Sequence, residues 1–130
     1  MSVPVTETLA TFIANTDYSS ISAQAIANGK MHILDTLGVA LAGYEHAVAK
    51  IALDYCKYMA GPAEVTIWGS DQKTSIPMGA FANGLLAHTI DFDDWDHIGH
   101  VGHPSCMVVA SSLSTAEAIG ASGKDFLRGY

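Results

Sequence analysis

The chain has 130 residues, enough to bury a core, and at 49% apolar it is too hydrophobic to be disordered. Its net charge of −7 argues against the basic stripes that hold nucleic acid. No uninterrupted apolar run approaches the ~20 residues of a membrane-spanning helix, and the longest candidate, Ala47 to Ala60, is broken by Lys50, Asp54 and Lys57. Met1 to Ala10 has no positive charge and so lacks the start of a signal peptide. Two cysteines, Cys56 and Cys106, offer no disulfide framework, so a cytoplasmic location is expected.

In chain order, Leu9, Phe12 and Ile13 mark a short helix that starts after Thr6 or Thr8. Ser22 suits the N-cap of a second helix, whose apolar stripe runs Ile26, Ile33, Leu34, Leu37 and Leu41 to a stop at Gly43. Gly38 inside that stripe would allow a close helix crossing. A third helix, Ala47 to Met59, carries Val48, Ile51, Ala52, Tyr55 and Met59 on one side and stops before Gly61 and Pro62. Glu64 to Trp68 alternates and is β-branched, and Lys73 to Ile76 can pair back on it across the Gly69–Asp71 turn. Pro77 suits the first turn of a helix to about Ile90, with Phe81, Leu85 and His88 on one face. Pro104 opens another helix, rich in Ala and Ser from Ala110 to Ala121, and Ser122 caps a last one. The class is mainly α: about five to six helices with at most one short β-hairpin. The final turn has only begun at Tyr130, so the expectation is an N-terminal piece of one longer helical domain.

The most informative stretch is His88 to His103. Four His and four Asp fill half of its sixteen positions, and it has no Lys or Arg. Histidine changes charge near neutral pH, and buried charges must be paired or coordinated. So dense a cluster points to chemistry. Asp91 follows one helix and His103 immediately precedes another, so a folded loop can bring both to one pocket. A carboxylate and an imidazole together are what acid–base work on a carboxylic acid requires. The N–H groups at Ser105 and Cys106, in the first turn of the second helix, would seat a substrate carboxylate, with Asp94 orienting His103 or ordering the loop. The competing chemistry is a metal-dependent hydrolase, with His97, His100 and His103 spaced by three and the four aspartates as oxygen ligands. Both readings stand on the residues alone. For the neighbours, simpler roles are expected: His88 as a hydrogen-bonded core histidine, Asp96 and His97 as solvated loop residues, Asp93 or Asp94 as a loop cap, and Cys106 as a buried structural thiol.

NGLLAHTIDFDD (Asn83 to Asp94), followed by HPS (His103 to Ser105), resembles the signature of the MmgE/PrpD family. LATFIA (Leu9 to Ala14), HILDTLGVALAG (His32 to Gly43), AEA from Ala116 and SGK from Ser122 resemble other segments of the same family. The resemblance implies the N-terminal part of an all-helical domain, with a smaller α+β lid from later sequence and the active site between them. It implies cofactor-free lyase or isomerase chemistry on a small polycarboxylate, above all 2-methylcitrate dehydratase-like elimination of water. Neither metal nor cofactor is then expected. In the family the first Asp of the NGLLAHTIDFDD motif and the His of HPS line the active site, which here are Asp91 and His103. Together with the reading of the residues, this makes them the expected acid–base pair, with Asp94, Ser105 and Cys106 as expected substrate-binding neighbours. The loop Trp95 to Gly102 departs from the pattern in length, and His97 and His100 are not carried over. Cationic residues for the substrate's carboxylates are expected from later sequence, as is a homodimer for the whole protein. An inactive truncated remnant is the non-enzymatic alternative.

Overall fold

A computed structural model of the chain describes residues 4–59, 61–99 and 102–130. Its order is α1 (Val5–Asn15), a 3-10 turn (Tyr18–Ser20), α2 (Ala23–Gly43), α3 (Ala47–Met59), β1 (Val65–Thr66), β2 (Lys73–Thr74), α4 (Ile76–His88), α5 (Pro104–Ile119) and α6 (Gly123–Gly129). The expected mainly-α class is what the chain adopts. Its helix starts follow local chemistry. Ser22 Oγ accepts the Ala25 N–H at 3.1 Å, and Ser122 Oγ accepts the Asp125 N–H at 3.2 Å. Proline occupies the first turns of α4 and α5, where a missing N–H costs nothing. Gly120, at φ +64°, closes α5 in the left-handed conformation.

The hairpin is shorter than the alternation suggested, with two residue pairs in antiparallel register, Val65 with Thr74 and Thr66 with Lys73. Helix side chains replace the rest of the ladder. Asn83, fully buried on α4, accepts the Trp68 N–H at 2.9 Å and donates to the Thr66 carbonyl at 3.0 Å. Glu117, on α5, accepts from Thr66 N at 3.0 Å, Thr66 Oγ1 at 2.7 Å and Lys73 Nζ at 3.2 Å. Burial works against the Glu117 carboxylate, but the Thr66 hydrogen bonds and Lys73 hold its pKa below the ordinary glutamate value.

Helix α4 is the centre of the bundle, packing mainly on α5 and α2. Its contacts use small residues: Ala40, Ala82 and Ala87 join Leu53, Ile67 and Leu86 in the core. That choice corrects two expected faces. On α2 the buried residues are Thr36, Val39, Ala40 and Gly43, while Leu34 is 73% exposed and Leu41 is also exposed. On α3, Ala49, Ala52, Leu53 and Cys56 go inward, and Val48, Ile51, Tyr55 and Met59 do not. The backbones come so close that only small side chains fit between them. A Cβ on Gly43 would lie 2.5 Å from the Leu86 carbonyl oxygen. The crossing expected at Gly38 is therefore at Gly43, and a Cβ on Gly38 would meet no other part of the described structure within 4 Å.

Candidate active site

The antiparallel packing of α4 on α5 builds the site. Near Gly84 the chains approach until a Cβ there would lie 3.1 Å from the Cys106 carbonyl oxygen. One turn onward on α4 is His88, and one turn back toward the start of α5 is His103, so the two rings meet with centroids 4.6 Å apart. The loop between them folds its aspartates under and beside these rings. Asp91, just beyond α4, adopts φ +51°, the one positive φ outside glycine among the described residues. Aspartate tolerates this left-handed conformation better than most side chains, though at a cost that commonly marks functional positions. Its N–H donates to the His88 carbonyl at 3.1 Å, and its carboxylate turns toward His103.

The result is an alternating series of carboxylates and imidazoles. Asp91 Oδ1 lies 3.4 Å from His103 Nε2, and the Asp91 side chain is 79% exposed. Asp93 Oδ1 lies 3.2 Å from His103 Nδ1 and 3.1 Å from His88 Nδ1, and its side chain is 0% exposed. His103 is thus bracketed by one accessible and one enclosed carboxylate. Its Nδ1, although close to Asp93, is not in line for a hydrogen bond and is a buried polar atom without a partner. Trp95 stands edge-on to the His103 ring at 5.1 Å.

His88, Asp91, Asp93 and His103 are the one group among the described residues whose possible metal-ligating atoms lie within 4.8 Å of one another. The His103 ring nevertheless turns its two nitrogens to two different carboxylates. Short carboxylate contacts at both nitrogens, 3.4 and 3.2 Å, also give the ring a path for proton transfer.

A family model, the MmgE/PrpD N-terminal domain, matches residues 7–130. The chain belongs to the MmgE/PrpD family. Cis-aconitate decarboxylase from Homo sapiens is 35% identical over 121 residues, covering 92% of this chain and 25% of that protein. The Mus musculus protein of the same name is 32% identical over 116 residues, covering 88% and 23%. The chain therefore spans about a quarter of the length of these curated relatives.

Within this MmgE/PrpD domain the expected site residues separate into distinct positions. Asp91 and His103 are brought together. Asp94 does not reach His103: its carboxylate accepts Ser105 N–H at 3.1 Å and Ser105 Oγ–H at 2.7 Å, and approaches His32 Nδ1 at 3.4 Å. The seat expected for a substrate carboxylate at Ser105 is thus filled by the chain's own Asp94, which caps α5. Ser105 Oγ also meets the Tyr130 hydroxyl at 2.9 Å. Cys106 is buried, its thiol donates to the His103 carbonyl at 3.1 Å, and its pKa is pushed up to about 12, chiefly by burial and then by Asp93. The thiol is thus the buried structural one expected from its apolar turn.

Of the other residues in this stretch, only His88 joins the site. His88 is half exposed and paired with Asp93 rather than enclosed in the core. Asp96 is a loop residue: its carboxylate accepts the Ile98 and Gly99 N–H groups, and its own N–H pairs with Gly102. His97 is exposed, and His100 lies outside the described residues. The residue that sequence reading undervalued is Asp93. Its signal was its place two residues after Asp91, which allows both aspartates to address one ring, but the loop conformation that does this is not a local property. No helix among the described residues is long and apolar enough to cross a membrane.

Proposed function

We propose that this domain supplies the acid–base pair of a cofactor-independent lyase acting on a small polycarboxylate, with elimination of water from a 2-methylcitrate-like substrate as its reaction. The observation that carries the reading is His103 bracketed by exposed Asp91 and buried Asp93. One member of the Asp91–His103 pair takes the proton from the carbon next to a carboxylate, and the C–H electron pair becomes the new C=C bond. The other protonates the departing hydroxyl, which leaves as water. Asp91, Asp93, Asp94 and Asp96 have no Lys or Arg ion pair among the described residues. The cationic groups that would hold a polycarboxylate are therefore proposed to come from the remainder of the protein. The whole protein is proposed as a homodimer in the reducing cytoplasm, where its buried free thiols Cys56 and Cys106 persist.

A second reading, decarboxylation of cis-aconitate, is favoured by the names of the two curated relatives. There a C–C bond breaks, CO2 leaves, and the electron pair left on carbon takes a proton from the same pair of residues. Incubating the whole protein separately with 2-methylcitrate and cis-aconitate, with products followed by NMR and CO2 release, separates the two. Water loss from 2-methylcitrate supports the first reading, and CO2 from cis-aconitate replaces it with the second. In the active reaction His103→Ala and Asp91→Asn should each lower turnover ~10²–10⁴-fold, with His97→Ala near wild type. Wild-type rates in both site variants would refute the assignment of the pair.

A further inference from the structure

We propose that Asp93 is the positioning residue that holds His103 in the tautomer and orientation needed for proton transfer, with His88 securing Asp93 from its other side. This inference rests on the reading of Asp91 and His103 as the acid–base pair and assigns a task to a residue that cannot itself meet substrate. Asp93 is completely enclosed, whereas Asp91 is open to solvent. Both Asp93 oxygens contact His88 Nδ1, at 3.1 and 3.2 Å, so the carboxylate is anchored to the end of α4. From that anchor, Oδ1 faces His103 Nδ1 at 3.2 Å, at the start of α5.

The ring needs such a partner. His103 Nδ1 is buried and unbonded, and a buried polar atom left unpaired costs about 1–3 kcal/mol. Asp93 Oδ1, at 3.2 Å, is the acceptor that we infer takes the Nδ1 proton once ring and carboxylate are in line. With the proton on Nδ1, the lone pair is on Nε2, the nitrogen that faces Asp91. A carboxylate behind one ring nitrogen sets what the other can do. The groups that face Asp93 are His88 at the end of α4, His103 and Cys106 at the start of α5, and Asp91 in the loop. None is a lysine or arginine that would draw the carboxylate away. Asp94 is itself committed to Ser105 and His32.

The test uses the whole protein labelled with 15N-histidine. Long-range 1H–15N spectra report the tautomer of His103 without substrate, so that arm remains decisive even if the lyase reading fails. The wild type should show His103 protonated at Nδ1. Asp93→Asn keeps the shape but can turn its amide N–H toward Nδ1, so the proton should move to Nε2. In the active reaction the same variant should lower kcat ~10²–10⁴-fold while leaving KM near wild type, as expected when only the catalytic ring is mis-set. Asp93→Glu, which restores the charge, should recover part of the rate. Adding Asp93→Asn to His103→Ala should cost no further turnover. An unchanged tautomer in Asp93→Asn overturns the proposal, as does additive loss in the double variant. If Asp93→Asn does not fold, a His103 that lacks the Nδ1 proton in wild type, or Asp93→Glu with wild-type kcat and an altered tautomer, overturns it equally.

Discussion

Asn83 tests whether the Asn83–Asp94 motif combines framework and chemistry. Its amide is fully buried and completes two backbone groups of the hairpin, Trp68 N–H at 2.9 Å and Thr66 C=O at 3.0 Å. Asn83→Ala leaves both without a partner. Each orphaned group costs about 1–3 kcal/mol when buried, and both backbone groups are only partly buried here, so a total of about 2–4 kcal/mol is expected. At roughly 3–6 °C per kcal/mol for a chain of this size, the melting temperature should fall on the order of 10 °C. Asn83→Asp gives a sharper comparison. It keeps the shape and the acceptor for Trp68, but the ionised carboxylate turns an oxygen on the Thr66 carbonyl. At neutral pH it should be at least as damaging as alanine. In acid the protonated side chain can donate to Thr66, and its deficit against wild type should narrow. Urea unfolding of the three chains by far-UV circular dichroism, at neutral and acid pH, measures both effects. A cost below about 1 kcal/mol for Asn83→Ala, or an aspartate variant that parallels alanine at every pH, would refute this account of the motif.

Gly43→Ala should destabilise by about 1–3 kcal/mol, because its methyl would press on the Leu86 carbonyl of α4. Gly38→Ala, in the same helix but facing open space, should be neutral or stabilising by up to ~1 kcal/mol; equal effects in urea melts would contradict the α2–α4 packing. Glu117 has a depressed pKa, so its contribution is present above the ordinary glutamate pKa and is lost as pH falls through the lower folded value. Glu117→Gln should therefore be less stable than wild type at neutral pH, by about 1 kcal/mol, and converge with it in acid. A pH-independent difference in unfolding free energy would dissociate Glu117 from Thr66 and Lys73.

The helix count and most helix boundaries were legible because they depend on neighbours in sequence. Ser22 and Ser122 bond N–H groups three residues on, and Pro77 and Pro104 need only a first-turn position. The Asp91–His103 juxtaposition was also legible, because each sits at the end of a helix that the pattern had located. The buried faces were not. Hydropathy points to Leu34, Leu41 and Ile51, but α2 approaches α4 so closely at Gly43 that a Cβ there would meet the Leu86 carbonyl oxygen at 2.5 Å. The faces that turn inward are built mainly from small and medium residues, so these three large side chains remain exposed.

Position beside a helix singled out Asp91, but the division of labour among the other aspartates belongs to the tertiary structure, because Asp93, Asp94 and Asp96 share one chemistry and a few positions of chain. Asp91 adopts a left-handed backbone, Asp93 is enclosed between His88 and His103, Asp94 reaches the first turn of α5, and Asp96 binds its own loop. Sequence by itself determined that carboxylates and imidazoles would be concentrated between two helices, because composition and capping are local. Only the packing of α4 on α5 decided which carboxylate meets which ring, because a contact of about 3 Å between residues ten or more apart depends on where two helices cross.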